Sequence, residues 1–279
     1  MPILYLVDGD GLLYRAANAL PYFTNEMGLP TNALHGFTAM VRSLLRSARP
    51  SHMAVAFTGD PPLRKHAIDP DYKINHYEHP EEIKLQIPYA MRFVAALGLH
   101  PFLEPGFEAD DVIATLLQQH GRMEARIVSS DRDFYQLVSD RVRVLAPLRG
   151  VSQLREVGPG EVEATFGVRP SQVPDLKALV GDASDDIPGV RGIGPKTAAA
   201  LLSLYPTVEL LLSNLDRVTV PGTRSRLAPM RERILLNKRL ALLLTVPFKK
   251  APNLRIGAPR EKMLQALVEE TGVSTILQT

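Results

Sequence analysis

The stretch "ILYLVDGDGLLYRAANA", residues 3–19, changes character at a single residue. Residues 3–7, "ILYLV", have the length and composition of a buried strand. Asp8 ends the run, and a helical pattern follows from about 10 to 19. Similar apolar runs recur as "HMAVAF" at 52–57 and "ARIVSS" at 125–130, with a weaker one, "VRVLA", at 142–146. Between them lie helical patterns at about 32–47, 80–97 and 109–120. This alternation predicts an α/β fold, a mostly parallel central sheet flanked by helices. Ligands of such sheets bind beyond the carboxyl ends of the strands.

Past about residue 165 the strand signal fades, and "FGVRPSQVP" marks a soft boundary. Short helices with Gly and Pro punctuation are expected at 170–180, 195–204, 207–213, 226–245 and 260–271. We therefore read an α/β domain at 1–168 and an all-helical subdomain at 169–279. The chain has 279 residues and 45% hydrophobic content, enough for one large core or two smaller ones. It contains no cysteine, which excludes disulfides and thiolate zinc sites. No basic leader precedes the first apolar run, and stretches such as "LALLLTVPF" at 240–248 are too short to span a bilayer. A soluble cytoplasmic protein, monomeric by default, is the expectation.

Four carboxylate groups stand where this fold would gather them. They are Asp8 after the first strand; Glu108, Asp110 and Asp111 in "GFEADDVIATLL"; Asp131 and Asp133 after the third strand; and Asp182, Asp185 and Asp186 in "GDASDDIPGV". Oxygen-only ligands favour a hard cation such as Mg2+ or Mn2+ over zinc. Magnesium takes few carboxylates per ion, so a set this large points to two ions. Such a pair stabilises the attacking and leaving oxygens of a phosphoryl displacement. Each group also has a plainer reading: a helix cap at Asp8, a complement to the helix dipole at "EADD", a turn at "SDRD", a loop at "GDASDDIPG". The calcium-loop spacing is not met.

Basic residues gather elsewhere. From Arg217 to Lys250 the one acid is Glu232, among nine Lys and Arg. That run suits a polyanion, although a solvated helix face is the plainer interpretation. "GVRGIGPKTAAALL" at 189–202 fits neither the Walker A nor the dinucleotide fingerprint, because Pro195 separates Gly194 from Lys196 and Thr197 replaces a third glycine. What remains is a tight turn, Gly192 and Gly194, before a helix whose backbone N–H groups and Lys196 can hold a phosphate without reading bases; a plain helix connector is the alternative. The polar segment 58–80 carries Arg64, Lys65, Tyr72 and Lys73, a cation–aromatic mix suited to single strands.

In this order the pieces resemble the 5′-nuclease family, which includes the 5′→3′ exonuclease domain of bacterial DNA polymerase I and the flap endonucleases. The matching stretches are "VDGDGLLYRA" (7–16), "TNALHGF" (31–37), "DPDYK" (69–73), "FEADDVIATL" (107–116), "VSSDRDFYQLVSD" (128–140), "DLKALVGDASDDIPGV" (175–190) and "GIGPKTA" (192–198), collinear over most of 1–215. The resemblance implies a PIN-like nuclease domain with an arch at about 58–98 and a C-terminal helix-hairpin-helix subdomain that grips duplex DNA, with K+ at the hairpin. It implies a metal-dependent 5′→3′ exonuclease or 5′-flap endonuclease of replication and repair, acting on 5′ ends, flaps and branches, with RNA primers as further substrates. Carried over by position, the metal-site carboxylates are Asp8, Glu108, Asp110, Asp111, Asp131, Asp133, Asp182 and Asp185. Asp8, Asp131 and the arch Lys73 are the catalytic set; Tyr72 orders the strand, and Arg15 and Lys196 meet phosphate.

Three departures stand out. The family usually has Asp directly after the Phe of the second strand, and here Thr58 stands there, with Asp60 two residues on. His76 replaces an arch Arg, and Asp186 replaces an Asn. Two rival functions follow: a structure-specific DNA-binding paralogue with weakened catalysis, and a related nuclease acting on RNA.

Overall fold

A computed structural model describes residues 2–75 and 79–276. Six strands form one sheet: β1 (Ile3–Asp8), β2 (His52–Thr58), β3 (His100–Glu104), β4 (Glu124–Val128), β5 (Val142–Arg149) and β6 (Gln153–Val157). Their order is β3-β2-β1-β4-β5-β6, parallel except for the final β5–β6 pair. The α/β reading therefore holds, with a parallel sheet and two additional edge strands. Both escaped the apolar pattern for edge-strand reasons. β3, "HPFLE", is half-buried throughout and carries Pro101, which an edge tolerates; β6 is mostly exposed.

The helices are α1 (Gly9–Ala19), α2 (Asn32–Ala48), α3 (Glu81–Lys84), α4 (Ile87–Ala96), α5 (Ala109–Gln119), α6 (Pro159–Phe166), α7 (Val173–Val180), α8 (Pro195–Leu204), α9 (Val208–Ser213), α10 (Thr223–Leu227), α11 (Arg231–Ala241) and α12 (Glu261–Thr271). The helix expected at 80–97 is thus two pieces, and the one expected at 226–245 contracts to α11, with α10 and a short 3-10 turn before it. None of the described helices is long and apolar enough to cross a membrane.

One face of the sheet buries Val7, Met53, Val55 and Phe57 under α1, α2 and α4. The other buries Leu4, Leu6, Ala54 and Ile127 under α5, and this core continues without a break into Leu176, Leu201, Leu211 and Ile234 of the C-terminal helices. The end of the chain does not stay with those helices. Met53 donates to the Leu254 carbonyl, and Leu264, Leu267, Val273 and Ile276 join the core under α2 and α4. Residues from about 254 onward, grouped by the sequence with the helical subdomain, thus pack on the α/β layer.

Register places the site. Asp8 pairs with Ala56 of β2, and Val7 with Val128 of β4, so the ends of β1, β2 and β4 stand level. Gly9 lets α1 start against β2, because a Cβ there would lie 2.5 Å from the Phe57 ring and 2.8 Å from the Ala56 carbonyl.

Candidate active site

At that sheet edge a cavity of about 460 Å³ is lined by Asp8, Asp10, Thr58, Lys73, His79, Glu108, Asp110 and Asp131, among others. Asp8 caps α1, accepting the Gly11 N–H at 2.8 Å and the Ser129 hydroxyl at 2.6 Å. Asp8 thus caps the helix and lines the cavity at once. Glu108 and Asp110 open α5. Asp131 hangs from the turn after β4, its N–H on Ser129 Oγ and its carboxylate accepting the Asp133 N–H.

Burial and mutual repulsion govern the charges. Burial, then the neighbouring Asp10, push the Asp8 carboxyl up to about 7. Asp110 is raised well above the ordinary range by burial, Asp131 and Asp8, and Asp10 is raised by burial. Glu108 goes the other way. Burial alone would raise it, but Lys65 and Lys73 overcome that and hold it at about 2. Lys65 Nζ lies 2.9 Å from Glu108 Oε2, the Tyr72 hydroxyl donates to the same oxygen at 2.9 Å, and Lys73 binds Oε1.

A second carboxylate group adjoins the first. Donor oxygens of Asp133, Asp182 and Asp185 all lie within 4.8 Å of one another. Lys177 of α7 binds both Asp133 and Asp182, and Lys73 reaches Asp185 Oδ1 at 3.2 Å. Lys73 therefore bridges the two groups, and Asp131 lines the cavities beside each. Lys73 sits at φ 50°, a left-handed conformation costly for a lysine, with its N–H on the Asp185 carbonyl. These residues fit hard divalent cations. The donors are carboxylate oxygens, three raised carboxyls share one cavity without a lysine each, and one buried oxygen, Asp10 Oδ1, has no hydrogen-bond partner.

Other expected residues fall differently. Asp111 accepts the Leu244 N–H at 2.7 Å and the Glu108 N–H at 3.2 Å, and only 1% of it is exposed. Both its oxygens are spent on backbone, so it caps α5 and tethers the chain after α11 instead of facing the cavity. Lys65 and Tyr72, expected on a DNA-facing surface, are 4% and 1% exposed and lie beneath Glu108. Arg64 alone of that trio is exposed, over the Phe107 ring. Arg15 reaches the rim, donating to the Leu148 carbonyl at 2.7 Å and Ser130 Oγ at 3.4 Å. Asp60 is exposed and lines a different recess. Asp186 occupies a left-handed turn position, at φ 54°, and accepts from Asn75; His76 lies outside the described residues. Gly192, at φ 80°, and Gly194 turn the chain into α8, whose N-terminus is open, with Lys196 exposed beside it.

The sequence reading passed over Asp10, His79 and Lys177. Asp10 looks like a first-turn acid, and Lys177 is the one basic residue of α7, two residues from Asp175, so neither carried a distinguishing signal.

The model of a "5'-3' exonuclease, N-terminal resolvase-like domain" matches residues 3–167, and that of a "5'-3' exonuclease, C-terminal SAM fold" matches 168–261. The chain is similar to a 5'-3' exonuclease of Aquifex aeolicus, 34% identical over 100% of this chain and 95% of that one. It is also similar to DNA polymerase I of Bacillus subtilis, 33% identical over 99% of this chain but 32% of the relative, so it spans about a third of that protein's length. A solved T5 5'-exonuclease with bound divalent metal ions (zinc) superposes with a TM-score of 0.70 at 22% identity, over 86% of this chain and 89% of the other.

Proposed function

The chain belongs to the 5′-3′ exonuclease family, and on that premise we propose that it hydrolyses DNA phosphodiesters at 5′ ends and flap junctions, in replication and repair. The observation that carries this reading is the cavity at the ends of β1, β2 and β4, where Asp8, Glu108, Asp110 and Asp131 meet and the Asp133–Asp182–Asp185 group adjoins them. Two ions, Mg2+ or Mn2+, would be held there by those carboxylates. When bound they supply charge for the developing oxyanions and lower the pKa of water.

The chain's own groups do the positioning. Ser129 and the Gly11 N–H fix both oxygens of Asp8. Lys65 and Tyr72 fix Glu108 from beneath. Lys73, shared by Glu108 and Asp185, carries a positive charge at the cavity, where it can neutralise a phosphate oxygen. Arg15, half-exposed beside Ser130 at the rim, and Arg64, exposed over the Phe107 ring, would meet the flanking phosphates. The Gly192–Gly194 turn, the start of α8 and Lys196 would grip the duplex backbone without base preference, with K+ at the turn. RNA primers enter as further substrates under this proposal.

The test is cleavage of a 5′-labelled DNA flap with Mg2+ or Mn2+, beside Asp131→Ala. Asp131 is exposed, so its loss spares the fold. Metal-dependent cutting near the junction, absent in the variant, is the expected result. Binding of the flap without cutting at any metal concentration would instead favour the weakened, DNA-binding paralogue, for which the neutral Thr58 is the specific observation.

A further inference from the structure

We propose that Asp10 is the carboxylate that serves the end of β2 in this chain, contributing its Oδ1 to a divalent cation held with Asp8. This rests on the metal-dependent reading above and names a ligand it did not include. β2 ends in Thr58, which is neutral and whose Oγ1 accepts the Ala109 N–H at 3.2 Å. Asp60 does not make good the deficit, being exposed and turned to another recess.

Asp10 reaches the same place from the neighbouring strand. β1 and β2 run parallel with Asp8 against Ala56, so a residue two beyond Asp8, in the first turn of α1, stands beside Thr58. Asp10 Oδ2 accepts the Thr58 N–H at 2.8 Å, which pins the carboxylate to the end of β2. The side chain is 7% exposed and lines the cavity with Asp8, Glu108, Asp110 and Asp131. Its other oxygen, Oδ1, is buried with no hydrogen-bond partner among the described residues.

His79 Nε2 stands 3.9 Å from Asp10 Oδ1, within ion-pair reach when the imidazole is protonated but beyond hydrogen-bond range. His79 is held on its other side by the Tyr14 hydroxyl, 3.0 Å from Nδ1. A buried carboxylate oxygen with no donor, beside a second carboxylate, is a group that a cation would complete. A role confined to orienting β2 would need one oxygen; the structure holds the second in the cavity wall.

The experiment measures Mn2+ binding to the full chain without DNA, by calorimetry or by the free-ion EPR signal. The proteins are the wild type, Asp10→Asn and Asp10→Asn/Thr58→Asp. An asparagine keeps an acceptor for the Thr58 N–H while removing the charge. The expected result is a loss of Mn2+ affinity of at least about tenfold in Asp10→Asn, largely recovered in the double variant. Unchanged affinity in a folded Asp10→Asn would overturn the inference while leaving the metal reading standing. Absence of Mn2+ binding in the wild type would sink both. Should Asp10→Asn fail to fold, Asp10→Ser takes its place, since it keeps a small polar side chain and removes the carboxylate. A loss of Mn2+ affinity of about tenfold there supports the inference, and unchanged affinity in the folded variant refutes it.

Discussion

Glu108 and Asp110 are two residues apart at the head of one helix, yet their surroundings push them in opposite directions. Glu108 faces Lys65 and Lys73 and stays ionised down to about pH 2. Asp110 faces Asp8 and Asp131, and its carboxyl is pushed well up by burial and by those charges. The same contrast divides the site. Around Glu108, and around Asp133 and Asp182 with Lys177, the protein supplies its own cations. Around Asp8, Asp10 and Asp110 it supplies carboxylates in excess. In the first arrangement lysines offset the carboxylate charge, and in the second burial and mutual repulsion raise the carboxyls. Crowded carboxylates are thus tolerated by two devices, pairing with a lysine and, in the uncompensated set, a raised affinity for protons.

The contrast breaks most severely at Asp110. Asp110→Asn should lower flap cleavage by about two to three orders of magnitude or more, read as single-turnover rate. It should also raise the melting temperature of the metal-free protein, because a poorly compensated charge has been removed. A lower melting temperature would show that Asp110 belongs with the paired set.

Next in size is the opposite substitution. Lys65→Ala leaves Glu108 buried and short of a partner, and breaking such a pair costs about 3–5 kcal/mol. Denaturant unfolding should show that loss, with a reduced midpoint and an unchanged slope.

The pH response separates the two devices without mutation. The folded pKa of Asp8 is raised from 3.8 to about 7, so the folded state holds that proton more tightly than the unfolded chain. Its contribution to stability is greatest at low pH and is lost as pH rises from about 4 to about 7. Glu108 is depressed from 4.5 to about 2, so its contribution is present above 4.5 and lost as pH falls toward 2. Metal-free protein should therefore melt lower at about pH 8 than at about pH 5, and Mg2+ should restore the difference at the higher pH. Melting temperatures equal at both, with or without Mg2+, would contradict the assignment of Asp8 to the uncompensated set.

The smallest effect lies away from both groups. Lys196→Ala should weaken duplex binding modestly and reduce the slope of log affinity against log salt by about one. An unchanged slope would remove Lys196 from the phosphate grip.

Much of the framework was legible in the residues. "ILYLV", "HMAVAF" and "ARIVSS" are buried strands because an apolar run of that length, covered on both faces, has few other fates. β3 and β6 were not legible, because an edge strand need not be apolar and Pro101 masks the pattern. Asp8, Glu108, Asp110 and Asp131 were legible as neighbours, since each stands at or just past a strand end or at a helix start that the topology brings to one edge, whereas the meeting of Asp133 with Asp182 and Asp185, in the loop after α7, depends on how α7 packs.

What a side chain does at that edge was decided elsewhere. Asp111 is one residue from Asp110, but a rotation of about 100° along the helix turns it to the amides of Glu108 and Leu244. Tyr72 and Lys65 carry the composition of a DNA-facing surface and are buried beneath Glu108. Asp10 gains its place from the parallel register of β1 with β2, and Lys177 from the packing of α7 beside the β4 turn. The sequence by itself determined the buried strands, most of the helix starts and the carboxylate inventory, because local pattern and chain topology suffice for those. Only the tertiary structure decided which carboxylates are paired with a lysine and which are not, because charge compensation is set by distances between residues far apart in the chain.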